Sequence, residues 1–177
     1  MLDWPSLLVG ALLGIPSVAL GVLLTFGLAS PRIKLDQVLT YTVESNGRRR
    51  FRVTYRNRGL LKAIDVRVRA RFIIRGKPDT AVPIPVSTGE IFVLGRHKTQ
   101  TPRLMLEHVD WRTYWPSSPK TLDRNDLEAV MRVLNAYLVV DIVASSQVFQ
   151  VRTAKRRAYL AHEVIEDGRT RDGGAAT

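Results

Sequence analysis

Few residues in this chain have the side chains that do covalent chemistry. Histidine occurs only at His97, His108 and His162, and cysteine does not occur at all. Without a thiol there is no disulfide framework, no thiolate-bound zinc or iron–sulfur cluster, and no thiol nucleophile. His162 opens the segment HEVIE. That segment misses the HExxH zinc motif because Glu166 stands where the second histidine belongs. It also falls on an expected strand, where helical spacing does not gather residues on one face. His108 and Asp110 have no nucleophile near them in sequence and read as a structural hydrogen-bonding pair. Asp141 interrupts the apolar run LVVDIV; it is expected to face water on an alternating strand, the alternative being a buried side chain paired with an arginine. No GxSxG, GxGxxG or P-loop pattern is present. No catalytic, cofactor-binding or metal residue is assigned, and no enzyme activity is expected.

Arginine is the abundant functional group. The chain has 27 Lys and Arg against 16 Asp and Glu, a formal charge of +11. Residues 31–77 carry 14 basic and 3 acidic side chains, so the excess is concentrated there. On the polar phase of the expected strands, Arg50, Arg52 and Arg56 should approach Arg67, Arg69 and Arg71. Arg32 and Lys34 precede them. Like charges facing one another across a strand pair destabilise by a few tenths of a kcal/mol to about 1 kcal/mol each. An anionic partner covering the face offsets that cost. These eight residues are therefore the candidate contacts for anionic lipid or an acidic protein partner. Net charge kept on a solvated face is the plainer alternative. Nucleic acid is not expected, since Phe51, Tyr55 and Phe72 lie on the apolar phase and leave no surface aromatics to stack bases.

The elements that must position these arginines are strands. From Leu35 onward apolar residues recur at every second position, through Leu39–Val43, Phe51–Tyr55 and Val66–Phe72. A three-residue loop, Ser45-Asn46-Gly47, with Gly47 in the left-handed region puts Phe51 opposite Tyr41 and keeps the apolar faces in phase. A second turn at Asn57-Arg58-Gly59 leads into a strand from Ala63 to Ile74. Further strands are expected at Glu90–Leu94, Arg103–Glu107, Tyr137–Ala144, Val148–Thr153 and Ala158–Glu166. Asp110–Thr121 reads as an ordered loop. Asn125 and Glu128 form a capping box ahead of one short helix, Asp126–Asn135. The pattern predicts a mainly β chain: an immunoglobulin-like β-sandwich of about seven strands over residues 31–166, followed by a frayed tail at 167–177.

Residues 7–29 are 23 uncharged, mostly apolar positions. As a helix they would measure about 34 Å, enough for a hydrocarbon core of about 30 Å. Residues 1–30 are thus expected to hold a single transmembrane helix rather than a cleaved signal peptide, whose apolar run is shorter and follows a basic start. Arg32 and Lys34 after the span, against Asp3 before it, predict an inner-membrane protein with its amino terminus outside and its β domain cytoplasmic. Gly10, Gly14, Ser17 and Gly21 share one helical face at spacings of 4, 3 and 4, which predicts helix association and a homo-oligomer.

The run from Asn57 to Phe72, NRGLLKAIDVRVRARF, resembles the early hairpin of the cytoplasmic domain of inward-rectifier potassium channels. That family has an Asn, an apolar–acidic pair and then Val-Arg-Ala-x-Leu. The segment from Arg156 to Val164, RRAYLAHEV, is similar to the family's Arg-x-x-Tyr-x-x-x-Glu-Ile, and His108-Val109-Asp110 echoes a His-Val-Ile-Asp loop. The likeness runs through residues 35–168 in order. Thr54 and Gly59 replace arginines of the family hairpin, and the second transmembrane helix, pore helix and Thr-x-Gly-Tyr-Gly filter are absent. The resemblance implies a sandwich that assembles side by side and answers to anionic lipid, without potassium selectivity. The function expected is that of a non-enzymatic, single-pass membrane scaffold, sensor or regulatory subunit. The alternatives are an oligomeric pore-forming effector, an extracytoplasmic envelope or adhesion module, and a membrane-tethered nucleic-acid binder.

Overall fold

In the computed structural model the described residues are 4–75, 80–114, 126–148 and 151–167, and within the first helix the side chains at 14–25 and 27. A helix, α1 (Trp4–Ala29), precedes four short strands: β1 (Ile33–Leu35), β2 (Leu39–Val43), β3 (Arg49–Arg52) and β4 (Tyr55–Asn57). The long β5 (Ala63–Ile74) follows, then β6 (Ala81–Ile84), β7 (Glu90–Leu94) and β8 (Thr99–Gln100). Two small helices, α2 (Trp111–Tyr114) and α3 (Leu127–Val133), come before β9 (Ala136–Ser146), β10 (Arg152–Tyr159) and β11 (Val164–Glu166).

Three sheets share one core. The largest has the order β10-β9-β5-β6, with β7 also on β5. Two three-stranded sheets, β1-β4-β8 and β11-β2-β3, complete the domain. Strand alternation does the sorting. Along β5, Val66, Val68, Ala70 and Phe72 are buried and the arginines between them point outward. Leu39, Phe51, Val53 and Tyr55 from the small sheets and Leu138, Val140 and Ile142 from β9 join the same cluster. The expected bulged turn is present, with Gly47 at φ 79 and Tyr41 opposite Phe51.

Several expectations need correction. The chain is mainly β as expected, but among the described residues there are eleven strands in three sheets, with β11 parallel to β2, in place of about seven strands. Residues 103–107 make isolated bridges and a 3-10 turn instead of a strand. The cap of α3 is Asp126, which accepts from the Ala129 N–H at 3.2 Å, one residue after the expected position. From residue 168 on, the expected tail lies outside the described residues, as does most of the 110–121 loop.

The transmembrane expectation is corrected too. Among the described residues no helix is long and apolar enough to cross a membrane. The transmembrane helix, the single-pass topology and the inner-membrane location with an outer amino terminus and a cytoplasmic domain accordingly lose their support. Within α1 the Ser17 hydroxyl donates back to the Gly14 carbonyl at 2.9 Å, and a Cβ added at Gly14 or Gly21 would meet nothing. Gly10 lies outside the described side chains.

A second departure concerns how the layers connect. The turn after β4 does not return β5 alongside it as a hairpin partner. It crosses to the large sheet, where β5 pairs with β6, β7 and β9. Asn57 organises the crossing. Its fully buried amide donates to the carbonyls of Leu61 (2.9 Å), Leu94 (3.3 Å) and Gly95 (3.4 Å), and its Oδ1 accepts from the Gly59 N–H at 2.9 Å. Gly59 has no room for a side chain, since a Cβ there would sit 3.0 Å from the Arg32 backbone nitrogen.

Two buried tyrosines tie stability to alkaline pH. Burial pushes the Tyr55 phenol up to about 12, and its hydroxyl has no partner among the described residues. Tyr159 donates to the Asp36 carbonyl at 2.9 Å, and burial raises its pKa as well. Below pH about 10 both phenols are neutral in either state, so stability is intact. Above it the unfolded chain ionises first, so stability falls as pH climbs towards about 12. Urea midpoints measured across that range should decline. Tyr55→Phe should lessen the decline and leave neutral-pH stability equal or higher by up to ~1 kcal/mol, because an unpaired buried hydroxyl is removed. A clear loss at pH 7 would show that the hydroxyl has a partner.

Candidate functional site

The outer face of the large sheet forms the candidate site. Period-two alternation sends Arg67, Arg69 and Arg71 outward from β5. The register then sets Arg69 opposite Asp141 of β9, and Asp141 opposite Arg156 of β10. Arg67 lies across from Val143, and Val143 across from Ala154. The result is a recess of about 1120 Å³ bordered by basic strands, with Tyr114 of α2 also lining it.

Asp141 is the one carboxylate lining this recess among the described residues. It accepts from Arg71 at 2.9 Å and from Arg156 at 2.5 Å. The Arg156 hydrogen bond and the Asp141 charge raise the pKa of that guanidinium above its ordinary value. Asp141 does face outward, but it is clasped by two arginines, where the sequence predicts a solvated side chain. Arg67 bonds Asp65 at 3.0 Å and approaches Glu90 at 3.5 Å. Arg69 is exposed and has no ion-pair partner among the described residues. Cations two residues apart on one strand sit about 7 Å from each other, which costs about 0.6 kcal/mol per pair in water.

The eight candidate residues divide between the two outer surfaces. Arg67, Arg69 and Arg71 line the recess. Arg50, Arg52, Arg56 and Lys34 lie on the small sheets, whose buried partners Phe51 and Tyr55 face the shared core from the other side. Lys34 and Arg56 are cross-strand neighbours there. Arg50 pairs with Glu44, and its neighbour Arg49 with Asp126 at 2.9 Å. Arg32 donates to the Gly27 carbonyl near the end of α1 at 3.5 Å. The expected approach of Arg50, Arg52 and Arg56 to the β5 arginines does not occur, because β3 and β4 belong to different sheets from β5.

Sequence reasoning missed Arg156, and of its two readings of Asp141 the arginine-paired one is what forms, on an outward face. A usable signal existed: RTAKRRA at 152–158 carries four basic residues and no bulky apolar one, which suits an edge strand. Among the described residues no cluster of His, Asp or Glu could hold a metal ion. Asp110 accepts from the Thr113 hydroxyl at 2.7 Å, while Glu163 binds Arg157 at 3.0 Å and caps Leu160 at 2.8 Å.

No protein-family model matches the chain, and no curated protein does. Among solved structures it is similar to the β-glucosidase DesR from Streptomyces venezuelae, solved in complex with D-glucose. The identity is 17% and the TM-score 0.29, over 73% of this chain and 15% of that one. This chain spans a small fraction of that enzyme's length, and a likeness at that score carries no weight for fold or activity.

Proposed function

We propose that this protein is a non-enzymatic binding module whose arginine-bordered recess takes an anionic partner. The observation that supports it is the composition of the recess: Arg67, Arg69, Arg71 and Arg156 around one carboxylate, Asp141. Charge of one sign gathered in a concave site draws a ligand of the opposite sign and speeds its arrival. A concave site also favours an inserted segment over a flat surface. Arginine adds forked donors that fit carboxylate and phosphate oxygens two at a time.

The test is binding of fluorescent polyglutamate to the purified chain at low and moderate salt. Affinity should fall as salt rises. Arg69→Glu should weaken it about tenfold, which corresponds to ~1.4 kcal/mol. Arg50→Glu, on the opposite surface and already paired with Glu44, should change it little. The proposal fails if the probe does not bind at low salt, or if both substitutions act alike.

A further inference from the structure

This inference rests on the anion-binding reading above and specifies the form of the ligand. Neighbouring strands lie about 4.8 Å apart, so the basic walls on β5 and β10, with β9 between them, stand about 10 Å from one another. Between them, Val143 of β9 and Ala154 of β10 give an aliphatic stretch beside Asp141, whose charge Arg71 and Arg156 already offset. Along the β5 wall, Arg67, Arg69 and Arg71 repeat every second residue, a step of about 6.8 Å. An extended peptide with a carboxylate at every second residue repeats at that same step. Tyr114 is the one aromatic ring lining the recess among the described residues, too few for the successive base stacking by which single strands are held. A bilayer surface would rest on the rim without reaching the floor. The chain also contains its own example of the contact, since Asp141 is held from one side by Arg71 and from the other by Arg156. Arg69, in the same row, is left for an incoming carboxylate.

We infer that the trough binds an extended acidic segment of a partner protein, lying along β9 with carboxylates at alternate positions and anchored on Arg69. Two labelled peptides of equal composition test this against the full chain by fluorescence anisotropy. One alternates Glu and Thr, and the other carries the Glu residues as a block followed by the Thr residues. The alternating peptide should bind about tenfold more tightly. Arg69→Glu should remove most of that advantage, and Arg69→Ala gives the same readout with less disturbance of the face. Equal affinity for the two peptides overturns the strand register but leaves the anion-binding reading standing. Tighter binding to a single-stranded RNA oligomer or to phosphatidylserine vesicles overturns the choice of partner. If no probe binds at low salt, both readings fall.

Discussion

Replacing Asn57 with leucine should lower the stability of the domain by about 3–5 kcal/mol, the largest loss expected from a single polar substitution. The side chain is fully buried and makes four hydrogen bonds, three as a donor to carbonyls and one as an acceptor. Leucine has similar bulk but can neither donate nor accept. The Leu61, Leu94 and Gly95 carbonyls and the Gly59 N–H would then lose their partner in a dry interior, at about 1–3 kcal/mol for each group left unsatisfied. Some of that loss is recovered where groups shift towards water. Urea denaturation measures the change directly through the midpoint at constant slope. A loss below ~1 kcal/mol would mean that the crossing between sheets is held by something other than this amide.

Phe72→Ala should cost about as much, ~3–5 kcal/mol, by a different mechanism. Phe72 is fully buried in the centre of the domain, opposite Leu138 on one side and Val82 on the other. Its ring lies 5.5 Å from that of Trp111 at 50°. Truncation removes the transfer energy of the ring and leaves a cavity that the paired strands cannot collapse to fill. Trp111 would lose a neighbour, so tryptophan fluorescence should shift along with stability. Phe72→Leu fills most of the space and should cost about 1–2 kcal/mol. Equal losses for the two variants would argue against a cavity as the cause.

Both residues lie in the stretch most legible from sequence, yet they were legible to different degrees. The bounds of β5 and β7 and the Gly47 turn follow from alternation and from a glycine in a left-handed position, which are local causes. The layer that β5 joins is a non-local matter. It depends on Asn57 reaching Leu94, 37 residues further along, and nothing in residues 57–63 announces that contact. Alternation alone therefore suggested an in-plane hairpin and brought two sets of arginines together that the fold keeps on opposite surfaces. The same applies to the site. The β5 wall is written in the Arg-x-Arg-x-Arg pattern. The β10 wall depends on the register of β10 against β9, which sets Arg156 opposite Asp141. Strand bounds misplaced by a few residues hide that pairing.

The Tyr159 hydroxyl reaches the Asp36 carbonyl across 123 residues of chain, Arg157 reaches the Gln37 carbonyl beside it, and β11 then lies parallel along β2. The earliest and latest strands of the domain are thus buttoned to each other. A polypeptide emerging from the ribosome cannot fasten that seam until its final strand has cleared the exit. Until then β2 keeps one bare edge exposed to whatever other chains are nearby.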